Sequence, residues 1–494
     1  MKTHLLSLCC AVVLFSLLTH VTWSVGKEDT SRLRTAKEIS LEVKRHLQTQ
    51  RFTDAEKLFN ALLASKTISV NGARVLEEVY DLLAASKDAT IYSDWCEASK
   101  NSHFPLVVRG NSFLEEASTL RGTDYANHVT ESRGERIREL LRQAQSDFEA
   151  AHVLQPSDPE SASRMIRVSL LSNHPAEVVE KWFKKAVQAD SAWLGAYREK
   201  FYCTLPNWGG SEQEMMNFMR SCAQNSPKGS IVYTIPFEYL KMSMPRHQSI
   251  GTMYLVDTGN EETLHLIENG IKRYRNDFPC SPWPDYYQGV LNQANANMQE
   301  AVADYGKALD KDPDNTVILK AKVMTQYALG RLDKAETDLE RIVQIEPDAA
   351  FGYANLGAIQ FHLHNNIEKG VELYTKASTI EKDPSILKSY FFDLAELLGN
   401  KKRHLDAIQY YTKALETDPQ FSKALLRRGE TKEALGDIHG AIDDMLELQQ
   451  MDKKYEAVAR EHAEKYMHGL KKDKNQAAVL PEYSPRPQNL WVAL

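Results

Sequence analysis

The chain is poor in the features that announce a reaction. Its 494 residues contain no CxxC pair, no HExxH, no G-x-S-x-G elbow, and no GxxxxGK[ST] or GxGxxG loop. These absences remove the common zinc, hydrolase and nucleotide signatures. No Asn-x-Ser/Thr sequon occurs either, which fits a bacterial envelope. An excess of one charge is also missing. Sixty Lys and Arg stand against 67 Asp and Glu, mixed along the chain, for a formal net charge of -7. With no basic face, nucleic acid is not an expected partner. Beyond residue 24 no apolar run is long enough to cross a bilayer.

The start of the chain is different. Met1-Lys2 is positive, Leu5 to Val21 is mostly apolar, and "TWSVG" supplies small residues for cleavage. This pattern predicts a secretory signal over 1–24, cut near 24–26, and an exported chain, periplasmic or secreted. An uncleaved anchor is the alternative. Cys9 and Cys10 would leave with the signal. Cys96, Cys203, Cys222 and Cys280 are too few and too scattered for a disulfide framework.

What is present is a repeat. Ala301, Tyr305, Ala308 and Pro313 recur 34 residues later as Ala335, Leu339, Ile342 and Pro347. They recur again as Ala407, Tyr411, Ala414 and Pro419, more loosely as Gly370, Tyr374, Ala377 and Pro384, and last as Ala441, Met445 and Leu448. Gly289, Gly357 and Gly429 lie on the helix before, and Gly330 and Gly436 fall at the turn between helices. Small residues let two helices approach, large ones fill the gaps, and proline stops the second helix. The pattern resembles the tetratricopeptide repeat, a helix–turn–helix unit of 34 residues. It implies an all-α fold, an α-solenoid, with five repeats over 282–455 and a capping helix over 456–472; the tail over 473–494, with three prolines and no helical period, reads as disordered, the alternative being that Leu490 and Trp491 anchor it in a groove.

Residues 27–280 read as an irregular helical domain. "RQAQSDFEAAHVLQP" carries Ala144, Phe148, Ala151 and Pro156 at second-helix spacing, after a first helix in "PLVVRGNSFLEEASTLRG". An insertion, 123–136, separates them. "PNWGGSEQEMMNFM" places Gly210 at an inter-helix turn, with Met215, Met219 and Cys222 at the offsets that follow Gly330. Ser211 and Glu214 form the pattern of a capping box. Together with Arg121, Gly122, Tyr125 and Ala126, the WGGS turn resembles a family of unknown function found in exported bacterial repeat proteins. That family implies no reaction and no catalytic residues.

Asp124, His128 and Glu131 sit within the insertion, with chemistry that could ligate a metal or move a proton, and a solvated loop is the plainer reading. His362 and His364 point apart on a helix. No catalytic residue, cofactor or metal site is therefore expected. The best reading is a non-enzymatic scaffold that docks a protein or peptide along the concave face of the first helices. Lys320, Tyr353, Asn355, Ile359, Lys423, Leu426 and Arg427 are the candidate contacts. Met324, Ser389 and Asp393 depart from the pattern with which some such repeats grip a C-terminal carboxylate. The alternatives are an enzyme with a site in the N-terminal half and a membrane-anchored assembly factor. Oligomeric state and partner identity are not legible.

Overall fold

A computed structural model describes residues 35–85, 89–121, 131–243 and 260–474. The expected signal, the tail beyond 474, and Asp124 and His128 of the insertion lie outside the described residues. Contacts divide the chain into two units. One runs to Pro236 and takes in Asn276–Ser281; the other comprises Phe237–Arg275 and Pro282 onward.

The first unit is a succession of helical hairpins. These are α1 (Ala36–Gln48) with α2 (Phe52–Ser65), α3 (Val75–Ala84) with α4 (Ala89–Ala98), and α5 (Phe104–Arg121) with α6 (Glu131–Leu154). Then come α7 (Pro159–Leu171) with α8 (Ala176–Ala189), and α9 (Leu194–Cys203) with α10 (Glu212–Gln224). One continuous core runs from α1 into α9, with Phe59, Trp95, Phe104, Phe148 and Trp193 enclosed. The expected insertion is shorter than its 14 residues, because Glu131 to Arg136 are the opening turns of α6.

The second unit begins with α11 (Pro236–Ser243) and α12 (Glu261–Asp277). Five hairpins follow: α13 (Trp283–Ala294) with α14 (Met298–Lys311), α15 (Thr316–Ala328) with α16 (Leu332–Ile345), and α17 (Ala350–His362) with α18 (Ile367–Ile380). The last are α19 (Pro384–Asn400) with α20 (His404–Thr417), and α21 (Ser422–Leu435) with α22 (Ile438–Met451). α23 (Glu456–Lys474) packs on α22. The repeat positions explain the packing. Ala301, Ala335, Ala407 and Ala441 are fully enclosed, as are Tyr305 and Leu339.

Two local devices recur. First, the turns of six hairpins share one backbone. A residue in the left-handed region stands just before the N-cap at Gln50, Ala296, Gly330, Asn365, Lys402 and Gly436, with φ from 52° to 89°. Only two of the six are glycine, so four turns hold an L side chain where it is strained by about 1 kcal/mol. Second, a small residue on the first helix meets a large one on the second. A Cβ at Gly110 would lie 2.8 Å from Phe148, at Gly289 2.6 Å from Tyr305, at Gly357 2.8 Å from Tyr374, and at Gly429 2.6 Å from Met445. Gly110 brings α5 and α6 into the same design as the second unit.

The WGGS turn departs from the expected detail. Pro206–Trp208 is a short 3₁₀ turn, and Gly209, not Gly210, takes the positive φ of 90°. Gly210 is required for another reason: a Cβ would come within 2.2 Å of the Thr204 carbonyl oxygen. Ser211 caps α10, with the Glu214 N–H donating to its Oγ at 3.2 Å. Its own hydroxyl donates to Glu214 Oε2 at 2.9 Å. Trp208 stays partly exposed, with the Arg121 guanidinium 5.9 Å from its ring centre.

Candidate interaction face

The first helices of the second unit, α13, α15, α17, α19 and α21, carry the expected contact residues. Three of the five hairpins are closed by a polar tie between the start of the first helix and the acid that ends the second. Thr316 Oγ1 donates to Glu346 at 2.5 Å, Lys388 Nζ to Asp418 at 2.5 Å, and Ser422 Oγ to Asp452 at 2.8 Å. The spacing is 30 residues each time. Lys320 joins the first of these ties, 3.1 Å from Glu346.

The other candidates divide sharply. Tyr353, Asn355 and Ile359 are buried, Ile359 completely. Tyr353 donates its hydroxyl to the Pro347 carbonyl, and the Asn355 amide donates to the Phe351 carbonyl. These three therefore support the hairpin from within. The reason is legible in "AFGYANLGAIQFH", which has no polar face, so α17 is enclosed almost all round.

Lys423, Leu426 and Arg427 lie together on α21. Lys423 Nζ sits 4.6 Å from the centre of the Phe392 ring. Leu426 is half-buried against the last core cluster. Arg427 bridges Glu396 of α19 at 3.1 Å and Glu430 at 3.0 Å. Between them lies Asp393. Burial lifts its carboxyl to about 7, with Lys423 pulling it down and Glu396 pushing it up. The cations on this face are thus engaged by neighbouring acids and rings.

Two apolar residues of this face escape the spacing argument. Val317 is 49% exposed on the first turn of α15, and Phe351 is half-buried on α17 with Lys320 Nζ 5.9 Å from its ring centre. Apolar residues at the start of a first helix, outside the packing positions, are the signal that identifies them.

The first unit holds the more polar interior. Asp158 caps α7 by accepting from the Glu160 N–H at 3.0 Å. It also accepts from Tyr80 at 2.7 Å and lies 3.0 Å from His103 Nε2. The His103–Asp158 pair is enclosed, and both oxygens of the carboxylate have structural partners. Glu131, from the expected polar set, opens α6. His364 lies 2.9 Å from Glu336. Among the described residues no cluster of three His, Cys, Asp or Glu is placed to hold a metal ion. Cys96, Cys203, Cys222 and Cys280 are unbridged; burial pushes the Cys203 and Cys222 thiols up to about 12.

Family models for the tetratricopeptide repeat match residues 293–358 and 389–421. The chain is 26% identical over 184 residues to DnaJ protein P58IPK homolog A of Oryza sativa subsp. japonica, covering 34% of this chain and 39% of that protein. It is 26% identical over 164 residues to the N-terminal acetyltransferase A complex auxiliary subunit NAA15 of Arabidopsis thaliana, covering 33% of this chain and 17% of that one. The chain thus spans well under half the length of these curated relatives. Among solved structures, yeast Tom70 aligns with a TM-score of 0.40 and 14% identity, covering 88% of this chain and 96% of that one. The fold is all-α, and its second unit contains tetratricopeptide repeats.

Proposed function

We propose that this chain is an exported interaction scaffold whose partner, a protein or peptide, docks along the first helices of the second unit. The observation that carries the reading is a patch that the packing leaves over. Val317, the Lys320 stem and Phe351 present apolar surface on adjacent first helices, whereas the repeat positions themselves are consumed inside. An apolar side chain of the partner would cover Val317 and Phe351, and polar groups would meet the Lys423–Arg427–Glu396 array. The export component rests on the apolar run of residues 5–21.

Placing a carboxylate on either side of the stack tests the proposal. Val317→Glu with Phe351→Glu alters the first-helix face, and Leu405→Glu alters α20, where Leu405 is 70% exposed. The first pair abolishes partner capture by the full-length chain and the second leaves it intact. Equal capture by both variants refutes the assigned face.

A further inference from the structure

The first helices of the first unit enclose a cluster of acids and guanidiniums. Buried Glu77 of α3, Glu160 of α7 and Glu199 of α9 face Arg164, Arg167 and Arg198, with Asp81 of α3 at the exposed edge of the cluster. Glu160 is well supplied with donors: Arg164 Nε at 2.6 Å, Asn111 Nδ2 at 3.0 Å and Trp193 Nε1 at 3.1 Å. Glu199 is held by Arg167 and lies 3.6 Å from Arg164. Asp81 is bonded to Arg164. Glu77 differs. It is 2% exposed, its Oε2 has no donor, and its Oε1 lies 3.0 Å from where a Cβ of Gly195 would be. The adjacent Glu78 is half-buried and has only neutral side-chain donors, Ser69 Oγ at 2.9 Å and the Asn71 side chain.

We propose that α3 is a proton-loaded element: Glu77 and Glu78 are carried as neutral acids, and their ionisation loosens α3 from its neighbours. The charges acting on Glu77 come from its own helix (Asp81), from α7 (Glu160, Arg164) and from α9 (Arg198). Burial is the largest influence and lifts its carboxyl to about 8; Arg198 and Arg164 oppose this, and Asp81 and Glu160 reinforce it. The N-termini of α3 and α9 also favour the anion, and full burial beside two carboxylates outweighs them. Burial lifts Glu78 to about 7, with Asp81 adding to it and Ser69 and Asn71 opposing.

The sign follows from linkage. Both carboxyls titrate higher in the folded chain than the ordinary 4.5. Their protons therefore stabilise the fold fully below that value, and the contribution falls steadily as pH rises from there to about 7 for Glu78 and about 8 for Glu77, where it is exhausted. Each group makes the unfolding constant rise about tenfold per pH unit in that interval. The test compares full-length wild type with Glu77→Gln and Glu78→Gln across about pH 6 to 9, reading local unfolding by hydrogen exchange corrected for intrinsic rates. Wild type loses protection in residues 75–84 and 194–203 as pH rises to about 8 and levels off above it, and Glu77→Gln removes about tenfold per unit of the slope below 8. Infrared difference spectroscopy of wild type supplies a reading independent of either variant: a neutral carboxyl present near pH 6 and gone by about pH 9. Parallel exchange profiles in wild type and Glu77→Gln, or a carboxyl signal that vanishes below about pH 5, overturn the proposal.

Discussion

Two glycines in the second unit should respond to alanine with opposite signs. Gly306 lies in α14 with no atom within 4 Å of a built Cβ. Gly306→Ala therefore gains helix propensity alone, about 1 kcal/mol. Gly357 lies in α17, where a Cβ would sit 2.8 Å from Tyr374 Cδ2 and 3.0 Å from the Gly370 carbonyl oxygen. Tyr374 is itself 4% exposed, and Gly370 is backbone, so neither neighbour yields easily. The same propensity gain of about 1 kcal/mol is then set against overpacking of about 1–3 kcal/mol. The expected net is a loss of about 1 kcal/mol, or a midpoint lowered by roughly 2–4 °C for a unit of this size. Thermal unfolding of the full-length variants, followed by hydrogen exchange in residues 350–380, reads both. Stabilisation by Gly357→Ala comparable with Gly306→Ala would refute the argument that the α17–α18 crossing depends on the missing side chain.

Other consequences are as specific. Lys402→Gly removes a left-handed side chain at φ 60° and stabilises by about 0.5–1 kcal/mol, whereas Gly436→Ala at φ 89° costs about 1 kcal/mol, both by denaturant midpoint. Asp158→Ala strips the α7 cap and leaves Tyr80 and His103 without their shared acceptor, so the first unit loses about 3 kcal/mol. In the second unit Asp393 titrates near 7, above its ordinary 3.8, so stability falls as pH rises between those values. Asp393→Asn flattens that part of the curve. Of the four described cysteines, Cys280 is exposed and reacts first with a thiol reagent, while Cys222 reacts only on unfolding.

The second unit was legible because its packing positions are chemically distinctive. Ala, Tyr and Pro at fixed intervals admit few other readings, and Ala301, Tyr305 and Ala308 lie where the period put them. The shared turn was half legible: Gly330 and Gly436 announce a left-handed residue, but Ala296 and Lys402 occupy the same conformation without any sign in their chemistry. Contact residues fared less well. Spacing places Asn355 and Ile359 on a first helix, but whether that helix keeps a free side depends on its neighbours' bulk, and α17 keeps little. Glu77 and Glu78 read as an ordinary acidic first turn, since such residues favour a helix N-terminus. Their enclosure arises only when α7 and α9, more than 80 residues on, close over them.

Site-specific photo-crosslinking of the full-length chain in its native extract tests the central claim most directly. A crosslinking residue at Val317 or Phe351, on the first helices, should capture one and the same partner species, while one at Leu405 on α20 should not. Capture of that species from Leu405 and not from Val317 or Phe351 would contradict the account.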